Sequence, residues 1–62
     1  MNRLREWREL RGLSQAALAA LLDVSPATVY RWERDDMTPR RSMRARIAKR
    51  LRVTVADLGW ET

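Results

Sequence analysis

Leu13-Ser14-Gln15-Ala16-Ala17-Leu18-Ala19-Ala20-Leu21-Leu22-Asp23-Val24-Ser25-Pro26-Ala27-Thr28-Val29-Tyr30-Arg31-Trp32-Glu33-Arg34 reads as two short helices joined by a tight turn. Ser14 is an N-cap, because its hydroxyl accepts a bond from an otherwise orphan backbone N–H. Leu18, Ala19 and Leu22 then recur at helical spacing on one face. Asp23-Val24 breaks the pattern. Ser25 caps a second helix, and Pro26 takes its first position, where a missing N–H costs nothing. Val29 and Trp32, three residues apart, face inward; Pro26, Ala27, Tyr30 and Arg31 face outward.

Working outward, a helix is predicted over residues 2–11. Asn2 caps it, Leu4 and Trp7 share related faces with Arg8 or Arg11, and Gly12 supplies the left-handed stop. Residues 34–39 are rich in breakers and polar groups and read as a loop. A longer helix covers 41–51, with Met43, Ile47, Ala48 and Leu51 as its apolar stripe. A last short helix covers 55–58, capped by Thr54 with Asp57 in the acid position of a capping box. Helices this short are not stable alone. They must share a core, expected to hold Leu4, Trp7, Leu18, Leu22, Val24, Val29, Trp32, Ile47, Leu51, Val53 and Leu58. The expected fold is all-α, a compact five-helix bundle forming one domain over 1–62.

Composition narrows the function. A 62-residue chain buries only about 60% of its unfolded surface. That leaves no room for a cleft with a separate substrate domain. The hydrophobic share of 45% is ordinary for a globular chain and argues against disorder. With no cysteine and no histidine, disulfides, zinc fingers, thiol chemistry and imidazole catalysis drop out. Paired carboxylates and a phosphate loop are also missing, so no enzyme, metal or cofactor is expected. No apolar run approaches a membrane span, and Met1-Asn2-Arg3-Leu4 leads into a charged helix without a signal-peptide core. A cytoplasmic location follows as the expectation. The net charge is +5, and twelve of the thirteen basic residues are arginine. The arginine fork matches both phosphate and guanine edges.

The central stretch resembles the helix-turn-helix of the Cro/repressor family, the XRE-type, lambda-repressor-like domains. The resemblance is carried by Leu13, Ser14, Gln15, Leu18, Ala19, Leu22, Val24, Ser25, Val29, Arg31, Trp32 and Glu33. Arg8 falls at the family's helix-1 arginine, and Ile47-Ala48, Leu51, Val53 and Leu58 match its last two helices. The chain departs from the family at six loop and helix positions. Asp23, Asp35 and Arg52 stand where glycine is usual, and Arg41 and Arg44 where leucine is usual. Asp36 lies where relatives carry a phosphate-directed lysine; it would repel DNA unless paired with Arg34 or Arg40.

The resemblance implies binding of double-stranded DNA, as a small bacterial or phage repressor or regulator. The helix that begins at Pro26 then enters the major groove. Pro26 and Ala27 would meet bases by apolar contact, although Pro26 serves equally as a helix starter. Arg31 suits guanine O6/N7 or, alternatively, a phosphate. Tyr30 lies on the same face and either packs on the strand or stays a surface tyrosine. Phosphate contacts are expected from Gln15, Ser25, Thr28, Arg34, Arg40, Arg41 and Arg44, with a base contact or a local cap as the alternatives for Thr28, while Arg46, Lys49 and Arg50 read as solvated surface. The family also implies an Arg8–Glu33 salt bridge. One copy reads too little sequence for a genome, so a homodimer on a pseudo-palindromic operator is expected, touching through Leu51, Arg52, Val53 and Trp60. Trp60 either joins that contact or covers the end of the bundle. Trp7 and Trp32 belong to the core. No small-molecule ligand is implied. The alternatives are a protein-interaction module, such as an antitoxin or adaptor, and charge-driven binding of any nucleic acid.

Overall fold

In the computed structural model, which describes residues 1–60, four helices follow one another. They are α1 (Leu4–Leu10), α2 (Gln15–Leu22), α3 (Pro26–Glu33) and α4 (Arg41–Leu51). Ser14 and Ser25 both sit in extended backbone and cap the helices that follow. Ser14 Oγ accepts the Ala17 N–H at 3.0 Å, and Ser25 Oγ accepts the Thr28 N–H at 3.2 Å. Pro26 holds the first position of α3. The cap of α1 comes from Asn2, whose Oδ1 accepts the Leu4 N–H at 2.9 Å. This helix spans 4–10 rather than the expected 2–11, with Arg3 and Arg11 as its boundary residues.

Every helix ends the same way. One residue turns left-handed: Gly12 at φ 70°, Asp23 at 60°, Asp35 at 62° and Arg52 at 58°. Its N–H and the next N–H then fold back on carbonyls of the last turn. For α2 these are Asp23 to Ala20 and Val24 to Ala19; for α4 they are Arg52 to Lys49 and Val53 to Ala48. This is the Schellman arrangement, which satisfies orphan carbonyls and favours an apolar residue next in the chain. Leu13, Val24 and Val53 fill that apolar place and pack on the core. Only one of the four left-handed positions is glycine.

The fifth helix is not formed. Thr54 and Asp57 do make the reciprocal box, with Thr54 N–H to Asp57 Oδ2 at 2.9 Å and Asp57 N–H to Thr54 Oγ1 at 3.0 Å. The box closes on turns instead, with i→i+3 bonds from Leu58 N–H to Val55 O and from Gly59 N–H to Ala56 O. Gly59 at φ 82° stops the segment before a helical register develops. Its missing Cβ also matters, since one would stand 3.3 Å from the Asn2 Cα.

The core holds Leu4, Leu18, Leu22, Val29, Ile47, Leu51 and Leu58, all essentially sealed, with Trp32. Burying each such side chain contributes about 1.5–3 kcal/mol. Trp7, Val24 and Val53, expected in this core, are only half-buried at its edge. Ala19, Ala48 and Trp60 join it instead. Among the described residues no helix is long and apolar enough to cross a membrane.

Candidate nucleic-acid interface

α3 buries Val29, Trp32 and the Glu33 side chain and presents Pro26, Ala27, Tyr30 and Arg31. Ala27, Arg31 and Arg34, spaced i, i+4 and i+7, form an exposed stripe, with Tyr30 beside it and Pro26 and Ser25 at its start. Arg31 makes no ion pair among the described residues.

Grooves flank α3 on both sides. On one side Gln15, Tyr30 and Arg34 line a groove with Arg5, Arg8 and Glu33. On the other side Trp32 and the 37–40 loop line a groove that runs onto Ser42, Met43 and Arg46 of α4.

The first groove is built on a buried charge pair. Arg8 donates through Nε to Glu33 Oε2 at 2.6 Å and through Nη2 to Oε1 at 3.2 Å. Its Nη1 donates to the Leu13 carbonyl at 2.7 Å. The two side chains are 9% and 5% exposed. The hydrogen bond to Glu33 holds the Arg8 guanidinium above its ordinary pKa. Gln15 Nε2 also donates to Glu33 Oε1, at 3.1 Å. One carboxylate on α3 thus fixes α1, the turn before α2 and the first residue of α2. Gln15 keeps a second amide N–H for an outside acceptor.

Tyr30 and Arg34 form a second pair. Arg34 Nη1 donates to Tyr30 Oη at 3.1 Å, and its guanidinium lies 5.4 Å from the ring centroid. The phenol accepts here, so its own proton remains available. Arg34 also pairs with Asp36 at 3.5 Å. The acid that would repel DNA is therefore partly neutralised by its neighbour. Arg5, which the sequence reading passed over, completes this groove. Its signal was present, since Arg5 and Arg8 lie i, i+3 on one face.

Other expected residues divide. Arg40 and Arg41 are exposed at the start of α4. That helix has no side-chain cap and no acid in its first turn, so its leading N–H groups and dipole favour an anion. Arg44 is half-buried, and its Nε is enclosed without a partner. It occupies the inner flank of α4 where the family has leucine, so that Nε does not serve as a phosphate donor. Ser25 and Thr28 hydroxyls bond each other at 3.0 Å, which leaves one proton between them. Arg46 is exposed but tethered; its Nη2 donates to the Leu22 carbonyl at the end of α2, at 3.3 Å.

The expected dimer patch needs correction. Leu51 is 0% and Trp60 7% exposed. Both are covered by the chain's own core and have no surface left for a partner. Trp60 takes the other role, closing the end of the bundle. Arg52 is exposed and Val53 half-buried.

A protein-family model described as helix-turn-helix matches residues 4–58. The chain belongs to the Cro/repressor-type helix-turn-helix family. Among curated protein sequences none matches it. This helix-turn-helix family is one of DNA-binding domains, and α2 with α3 forms its defining pair here.

Proposed function

We propose that this helix-turn-helix protein is a sequence-specific regulator of transcription, acting as a repressor, that lays α3 in the major groove of an operator. The observation that carries the reading is the exposed stripe Ala27, Arg31 and Arg34 between two grooves that carry arginines. A major groove is about 12 Å wide and is walled by two phosphate strands. Gln15, Tyr30, Arg34 and Arg5 face one strand. Arg40, Arg41 and the first amides of α4 face the other. Arg31 reads a guanine edge by its fork, while Pro26 and Ala27 offer apolar contact to thymine methyls.

Two copies bind together, on half-sites about one helical turn apart. With Leu51 and Trp60 buried, the remaining contact is Arg52 and Val53, a small patch that carries a charge. The free chain is then a monomer that pairs on DNA. Selection from a random duplex pool, followed by binding of the winning site, tests the reading. Arg31→Ala should lose roughly 1–3 kcal/mol on that site and relax preference at one position. Sedimentation should give two chains per site. Equal losses on all sequences would make Arg31 a phosphate contact, and the absence of any enriched sequence would refute the function.

A further inference from the structure

We propose that the C-terminal half of α4 docks a carboxylate-rich segment of a partner protein. Arg46, Lys49 and Arg50 recur at i, i+3 and i+4 and share one face of the helix. With Arg52 they line a shallow groove, and all four are exposed. None takes part in an ion pair among the described residues. No acidic residue lies anywhere between Asp36 and Asp57. A helix C-terminus attracts cations in its last turn through its dipole. Four cations around one groove exceed that demand, and the surplus positive charge is what an outside anion would neutralise.

One wall of the groove is already held. Arg46 is tethered through Nη2 to the Leu22 carbonyl at 3.3 Å. Less of its side-chain freedom is therefore lost when a ligand docks. From Arg46 to Arg52 the helix rises about 9 Å, the reach of about three residues of extended chain. Guanidinium forks take carboxylates in bidentate pairs, so a short run of acids fills the groove.

Arg46 borders both this groove and the one beside α3, but Lys49 and Arg50 line only this one. Lys49 stands about 12 Å along the helix axis beyond Arg41, which starts α4 at the end assigned to phosphate. That separation from the duplex rests on the proposed function; the charge and shape of the groove do not. Away from DNA, a second copy docking groove to groove would set like charges against each other.

The test is a titration of the isotope-labelled chain with an octaglutamate peptide at about 0.15 M salt, where exposed charges more than about 8 Å apart are screened. Amide shifts should cluster at 46–50, short of the Arg52–Val53 contact between copies, and should persist when the chain is saturated with DNA. Lys49→Gln combined with Arg50→Gln should weaken peptide binding roughly tenfold while leaving the melting temperature and DNA affinity unchanged. Shifts centred on α3, or equal peptide affinity in the double variant, would overturn the proposal. So would a fall in the salt slope of DNA binding of about one per charge removed, which would make the groove a phosphate surface. The peptide arm is run without DNA first, so a failure of the DNA reading leaves its outcome legible.

Discussion

Replacing Arg52 by glycine should make the protein more stable. Arg52 closes α4 at φ 58°, ψ 46°, where a Cβ crowds the following carbonyl at about 1–2 kcal/mol. Glycine removes that strain but adds unfolded-chain freedom, which takes back about 0.4–1 kcal/mol. The side chain is exposed, so little packing is lost. The net gain is about 1 kcal/mol, and for a domain this small it raises the melting temperature by about 4–8 °C. Thermal unfolding followed by far-ultraviolet circular dichroism measures it. Arg52→Ala is the decisive control, since it removes the charge and keeps the Cβ. Equal stabilisation by alanine and glycine would show that charge crowding, not backbone strain, is relieved, and would refute the reasoning. Asp23→Gly should gain less, because aspartate tolerates the left-handed region better.

Three further outcomes follow from the same geometry. Glu33→Gln should cost about 3–5 kcal/mol in urea unfolding, because Arg8 is left buried without its counter-charge; unchanged unfolding would show the pair to be structurally idle. Arg44→Leu should stabilise by about 1 kcal/mol through removal of an unsatisfied buried donor and leave the salt slope of DNA binding intact, whereas Arg41→Gln should lower that slope by about one. The Thr54 N–H and hydroxyl hold the Asp57 carboxyl below its ordinary pKa. Its contribution is therefore present above the unfolded-state value and lost as pH falls through the folded one. Asp57→Asn should flatten the stability profile across that acidic window, and an identical profile would exclude the box as its source.

Local chemistry was the legible part of this sequence. Ser14, Ser25, Pro26 and Gly12 announce their roles because a cap depends on only a few neighbouring residues. Asp23, Asp35 and Arg52 carry no such signal of their own; their left-handed backbone was expected only from the glycines that relatives place there. The Thr54–Asp57 box was read correctly as a bond pattern and wrongly as a helix. Such a box forms equally well on a turn, and Gly59 leaves too few residues for i→i+4 bonds. Tertiary partners were the least legible. Arg11 donates to the Leu51 carbonyl at 2.8 Å, and Arg46 reaches Leu22, yet in sequence both look like any solvated arginine. The sequence leaves Trp60 open between a contact with a second copy and a cover for the end of the bundle, and the packed fold shows it buried.

The Arg3 N–H donates to the Leu58 carbonyl at 2.8 Å, so the first and last turns of the domain are stitched together. Asn2 reinforces the seam by donating to the Trp32 carbonyl at 2.7 Å and to Asp35 at 2.8 Å. Topologically the polypeptide is close to a ring, entering and leaving through one doorway. A unit of that shape is portable. It can be spliced into a surface loop of another protein, both junctions meeting the host side by side, without prising the bundle open. The seam lies where α3 ends, away from the Ser25–Pro26 tip that opens the recognition helix, so the grafted unit keeps that tip turned outward from its host.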